Sequence, residues 1–521
     1  MTSDAHSAET PSRDAKADRP EVDGASAKRT WLSRPSIRTI RRRTPFQQGL
    51  WATSDQRDNE ATRLPADEAV HLGAVTLVES FTPSTVHSLY DALENLPVRE
   101  PDKKRQWRDA LRASRGTPDG GGWQNLAVIR PPGAFILSNG FHDATLPVGV
   151  DAVWLHLHYP TASLALVVAT FALKEDAGDL STLLRSDFQT RTDNVRVHVS
   201  GRLGSVRSRL PWARPKSYRS GAAIQNVVAQ KSQAYQDFAA NFEDACWRWF
   251  TSRFPGRFAM EPLGTRPSAR ILFTRKNIPF KDRLQFMDPI GIGGHGIVWR
   301  STDPKGWALK FDGQQVSERR RPAMLVAARR SDAASEHETT EKDSLWVLTQ
   351  AFDEQHGTLI VRWAMTTLIS LYIDRLGELR DRAGRRKRFR RPVRQARDLD
   401  RFLLGDGLDA STVASDIRLI CGNPDRFRWH VPKYSEDREE YPTGVRESRE
   451  PLEMIPALRD SLDRKAQQLL QDMDTTTRNV GASAQLRQAI ANTRLQRLVL
   501  MLSIAATIIA LVSLIVSSGG S

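Results

Sequence analysis

From Leu498 to Val516 the chain reads LVLMLSIAATIIALVSLIV, with no charge, proline or glycine. Only Ser517, Ser518, Gly519, Gly520 and Ser521 follow. As a helix rising about 1.5 Å per residue, the run would be roughly 28 Å long, near the ~30 Å of a bilayer's hydrocarbon layer. Core helices seldom run so far without a polar face. The expectation is a single C-terminal transmembrane helix over 498–516. Met1 to Glu21 is polar and mixed in charge, without the apolar stretch of a signal peptide. Arg487, Arg494 and Arg497 precede the run and no charge follows it, so the positive-inside rule puts the N-terminal body in the cytoplasm. The expected placement is that of a tail-anchored, single-pass protein of the cell membrane, with 517–521 as a short non-cytoplasmic tail.

Ser503, Ala506, Ala510, Ser513 and Ser517 recur at intervals of three and four. Small residues on one helical stripe let helices approach closely, so the stripe predicts self-association and a homo-oligomer. Upstream, Glu450 to Arg497 reads as a stalk helix. Leu462, Leu469, Thr476, Ser483 and Ile490 repeat every seven residues, beside Ala466, Met473, Val480, Arg487 and Arg494.

The rest of the 521 residues leaves room for two or three domains. Residues 1–68 lack periodicity and turn basic from Lys28 to Arg43, which predicts a disordered basic tail. Residues 69–205 read as an α+β domain. A strand at Ala74–Val78 leads into a helix with Thr82 as N-cap and Pro83 at its first position. A hairpin joins Val153–Tyr159 to Ser163–Leu173. Residues 206–315 carry a long helix closed by Pro255-Gly256, then a hairpin. Residues 316–449 read as helical and Arg-rich, and 450–497 is the stalk. Thr358 to Ile373 is apolar, but Arg362 interrupts it and leaves too few residues to span. It reads as a buried helix. The fold class expected is thus an α+β cytosolic body with a mainly helical C-terminal half, a long stalk helix and one transmembrane helix.

A net charge of +15 suits an anionic membrane surface. The strongest basic run, Arg380 to Arg401, has Phe389 as its only aromatic residue and no base-reading motif, so nucleic acid is not the partner expected. Cys246 and Cys421 are the only cysteines, which fits a reducing compartment. His156 and His158 share one face of a strand and could ligate a metal with His142 and Asp143. Solvated strand histidines are commoner, and no metal or cofactor is expected.

Gly291, Gly293, Gly294 and Gly296, followed by Ala308-Leu309-Lys310, resemble the glycine-rich loop and strand lysine of protein kinases. That resemblance implies a nucleotide held by the loop amides and Lys310. No catalytic loop or metal-binding Asp-Phe-Gly follows, and a hairpin turning at Asp303-Pro304-Lys305-Gly306 is the competing reading. No Ser-His-Asp, Cys-His or paired-carboxylate pattern stands out, so catalysis is not the expectation. A mixed body, a long helix with basic residues near its end and the apolar run from Leu498 together resemble the CorA-type divalent-cation transporters. Ser517-Ser518-Gly519-Gly520-Ser521 stands where that family carries Gly-Met-Asn, and no second span follows. The function expected is a self-associating membrane scaffold or sensor with an unknown cytosolic protein partner. The alternatives are a reduced CorA-like channel or membrane-permeabilising effector, and a nucleotide-binding enzyme.

Overall fold

The computed structural model describes residues 36–41, 51–96, 98, 101–117, 121–132, 141–200, 218–281, 284–293, 297–312, 323–334, 344–385, 402, 405–437 and 450–518. In chain order the elements begin with β1 (Ser36–Arg41), α1 (Ala52–Ala61), β2 (Val70–Phe81), α2 (Val86–Glu94), α3 (Pro101–Arg115), β3 (Trp123–Arg130), β4 (Phe141–Asp143), β5 (Val150–Thr161) and β6 (Leu164–Leu173). Two short helices follow, α4 (Glu175–Gly178) and α5 (Ser181–Arg185), then β7 (Arg191–Ser200), β8 (Tyr218–Gln225), α6 (Val227–Thr251) and β9 (Ser268–Thr274). The remainder comprises β10 (Val298–Asp303), β11 (Lys305–Asp312), β12 (Ala323–Arg329), α7 (Arg330–Ala333), α8 (Leu345–Arg385), α9 (Asp406–Gly422), α10 (Pro424–Arg428), β13 (Lys433–Asp437) and α11 (Met454–Ser518).

The chain divides into two units. The smaller, drawn from Met1–Gln47 and Arg191–Ile224, contains a three-stranded sheet in the order β1-β7-β8, with Ser36 opposite Ser200 and Arg41 opposite Val195. The larger unit is built on a ten-stranded mixed sheet in the order β13-β10-β11-β12-β9-β2-β6-β5-β3-β4. The segments 69–205, 206–315 and 316–449 all supply strands to it. β2, β6 and β9 are buried along their whole length, as strands covered on both faces must be. Phe171 of β6, in register with Val153, meets Trp249 and Phe250 of α6. Trp154, in register with Thr170 on the opposite face, packs on Trp346 of α8. α6 and α8 therefore cover opposite faces of the sheet.

α6 starts at Asn226, whose side chain accepts the Ala229 amide, as an N-cap does. The helix expected at Thr82 begins instead at Val86, behind Thr85. Thr82 Oγ1 and Ser84 Oγ both donate to Asp409 of α9, at 2.5 Å each, so the Thr82 hydroxyl serves a tertiary contact and not a cap. The hairpin expected near Asp303 forms as β10 antiparallel to β11. The apolar stretch of α8 from Leu359 to Tyr372 lies in the core, and both cysteines are buried free thiols.

Among the described residues, no helix is long and apolar enough to cross a membrane. This corrects the transmembrane helix expected over 498–516, and with it the tail-anchored, single-pass membrane placement and the cytoplasmic assignment drawn from it. Leu498 to Ile509 is the part of that run whose side chains are described, and all of it is exposed. The C-terminal half is mainly helical among the described residues, and it also contributes β12 and β13 to the sheet. The fold is α+β, organised on the mixed sheet. α11 packs its first turns against α8 and α9 through Leu462, Ala466, Leu469 and Met473, all buried.

Candidate functional site

Alternation along β5 directs Trp154, His156 and His158 to the face covered by α8. Trp346, Asp353 and Gly357 meet them in the same order. Four residues of strand rise about 13 Å and eleven of helix about 16 Å. The helix thus runs alongside the strand and sets Asp353 against His156 and Gly357 against His158.

His156 Nε2 is hydrogen-bonded to Asp353 Oδ2. The Asp353 side chain is 1% exposed and that of His156 12%. Burial depresses the His156 pKa, but the Asp353 charge and hydrogen bond outweigh it and the net shift is upward. His158 is held well below the usual range by burial first, then by the charges of His156 and Arg362. Trp123 of β3 stacks on His158 at 6.3 Å and 23° and meets His156 edge-on at 6.1 Å. One turn further along α8, burial pushes His356 down to about 3. Its Nδ1 lies 3.1 Å from the Phe352 carbonyl and its Nε2 2.7 Å from the Tyr434 hydroxyl. A neutral ring fits both partners when Nδ1–H donates and Nε2 accepts the tyrosine proton. Arg362 lies deeper on the same helix. Its Nε donates to the Phe427 carbonyl and its Nη2 to that of Arg426, both at 3.4 Å.

Among the described residues no hydroxyl or thiol is hydrogen-bonded to His156. Nor is any group of three or more His, Cys, Asp or Glu residues placed to hold a metal ion. His142 lies in register with Ile129 and Val153, on the strand parity opposite to His156 and His158, and Asp143 is in register with Arg130. The four residues considered together for a metal are thus divided between two faces of the sheet.

The glycine-rich segment forms a turn. The amide of Gly291 donates to Asp288 O at 3.0 Å, and those of Ile292 and Gly293 to Met287 O at 3.2 Å. Gly291 takes φ +83°, which favours glycine, and a Cβ on Gly293 would fall inside the Asp288 carboxylate. These amides face the chain's own carbonyls, beside a negative charge, and not an open phosphate cradle. Gly294 and Gly296 lie outside the described residues. Lys310 sits on β11 in register with Leu325.

On α11, Leu495, Leu498–Leu502, Ile504, Ile508 and Ile509 are all more than half exposed. Ser503 and Ala506 of the small-residue stripe are exposed among them. Ala510, Ser513 and Ser517 continue the helical backbone, with side chains outside the described residues. The basic run beyond Arg385 also lies outside them. Sequence patterning had drawn attention to His156 and His158 but not to Asp353. A carboxylate between Phe352 and the apolar turns of α8 was the available signal. No protein-family model, curated protein or solved structure matches the chain.

Proposed function

We propose that the protein is a self-associating scaffold, an α+β body that assembles through the distal part of α11. The supporting observation is the exposed apolar run from Leu498 to Ile509, on a helix whose first turns are built into the core. Folded proteins seldom leave so contiguous an apolar patch uncovered. Leu498, Val499, Leu500, Met501 and Leu502 are consecutive and 54–65% exposed, so the apolar surface goes round the helix and one partner helix cannot cover it. A helix about 10 Å across and about 18 Å long offers roughly 570 Å² of side surface. That is more than half of the ~800 Å² each partner buries in a standard interface. Fully covering a Leu, Ile, Val or Met side chain is worth about 1.5–3 kcal/mol. Several per chain offset the ~4–15 kcal/mol cost of association. A bundle of three or more copies satisfies this surface, with Ser503 and Ala506 allowing close approach.

Light scattering on the full chain in detergent-free buffer tests the proposal. A trimer or larger species is expected, reduced to monomer by Leu498→Glu together with Leu502→Glu. A monomeric wild-type chain overturns it, and so does a monomer that floats with phosphatidylcholine vesicles, where lipid takes the place of the partner helices.

A further inference from the structure

Three histidines lie where α8 meets the sheet, and among the described residues only His156 is bonded to a carboxylate. Asp353 provides it, and Glu354 adds to the negative field. His158 is buried, with its ring centroid 6.4 Å from that of His156, and makes no hydrogen bond among the described residues. α8 sets Gly357 and the charge of Arg362 against it, and β3 covers it with the Trp123 ring. His356, fully buried on α8 itself, meets Phe352, Trp307 of β11 and Tyr434 of β13. The Tyr434 hydroxyl stays neutral, because burial raises it well above its ordinary range. Arg362, 5% exposed, already places a cation in this contact. Among the described residues it is bonded to carbonyl oxygens and the Met365 sulfur, with no carboxylate, and Arg426 of α10 adds to the positive field around it. A proton added to His158 or His356 therefore arrives without a counter-charge, and at His158 it arrives beside an imidazolium and a guanidinium.

We propose that this contact is an acid-sensitive latch: protonation of His158 and His356 releases α8, and the helices packed on it, from the sheet. Histidine is the side chain whose charge changes near neutral pH. Burial holds both rings neutral, so their contribution to the closed state is present above about pH 6.5 and lost as pH falls below it. The His156–Asp353 pair stays charged through that window, because its shift is upward. From pH 6.5 to 5.0, one added proton raises the opening constant up to about thirtyfold, and two raise it up to about a thousandfold. α8 also seats α11, where Lys465 donates to Ser370 at 2.9 Å, so the seat of α11 loosens with it. α6 covers the opposite face of the sheet and is not touched by these histidines. The latch lies within one chain and does not depend on assembly.

Hydrogen exchange of the full chain at pH 7.0 and 5.0, corrected for intrinsic exchange rates and read by peptide mass, is the test. Peptides from α8 and from 454–476 should lose about thirtyfold or more of their protection at pH 5.0, while those from β9 and β12 keep theirs. His158→Gln should recover about thirtyfold of that loss. The Leu498→Glu, Leu502→Glu pair should lose as much as wild type, and a loss confined to the assembled wild type overturns the proposal. Titration of the histidine rings by NMR in the wild type gives a check free of substitution at the latch. The His158 and His356 rings should gain their protons only as α8 loses protection, and rings that gain them while α8 stays protected overturn the proposal. Equal protection at both pH values overturns it as well, as does a loss shared by β9 and β12, or one undiminished in His158→Gln.

Discussion

Glu79 lies on β2 with no exposed surface. Its Oε1 accepts the amides of Ser80 at 2.9 Å and Phe258 at 2.6 Å, while Oε2 is buried without a hydrogen-bond partner among the described residues. Burial pushes its carboxyl up to about 8, against the opposing pull of those backbone bonds and Arg266. Between about pH 4.3, where an unfolded glutamate titrates, and pH 8, the native state holds more protons than the unfolded state. Stability therefore falls as pH rises through that window and is lowest above it. His356 acts in the opposite sense. Its folded pKa is about 3, so protons favour the unfolded chain as pH falls below about 6.5. Urea unfolding at pH 6.0 and 8.5 should show a loss on the order of a few kcal/mol at the higher pH. Glu79→Gln should remove most of that difference. An unaltered pH response in the variant would show that Glu79 is not the titrating group. Sequence gave little warning of either residue. Glu79 follows an apolar strand read as ending at Val78, and the fate of His356 depends on Tyr434, which lies far along the chain.

At the scale of elements, legibility followed locality. Helices with long apolar faces, such as α6, and the tight β5–β6 hairpin were readable because their partners lie close in sequence. β12 was not. Ala323–Arg329 is a short apolar run, and what makes it a strand is parallel pairing with β9 and antiparallel pairing with β11. The candidate site was half-legible for the same reason: β5 alternation placed His156 and His158 on one face, but α8 supplies Asp353 and Arg362. Within α8, Gly357 faces His158, and a Cβ there would lie 3.7 Å from the His158 Nε2, an ordinary contact. Glycine inside a helix costs roughly 0.5–1 kcal/mol relative to alanine. Gly357→Ala should therefore raise the unfolding free energy by about that amount. Gly178→Ala should do the reverse, because its Cβ would collide with the Leu72 carbonyl oxygen, backbone that cannot rotate away. Thermal unfolding of the two variants checks the contrast, and a loss of stability in Gly357→Ala would show that the α8–β5 contact is tighter than described.

For the whole molecule, charge and apolar surface act against each other. Each chain carries a net +15, so copies brought together by α11 repel one another. That repulsion reaches about 30 Å at 0.01 M salt and about 8 Å at 0.15 M. The attraction between apolar side chains is not screened in this way. Adding salt over that range should therefore tighten the assembly. A partner held by its phosphates responds in the opposite direction, because each neutralised phosphate releases counterions and affinity falls steeply with salt. Sedimentation of the full chain at 0.01, 0.05 and 0.15 M sodium chloride should show the oligomer fraction rising at fixed protein concentration. Leu498→Glu with Leu502→Glu should stay monomeric throughout. An oligomer that dissociates as salt rises would mean that ion pairs between copies hold it together, and the apolar run of α11 would then need another role.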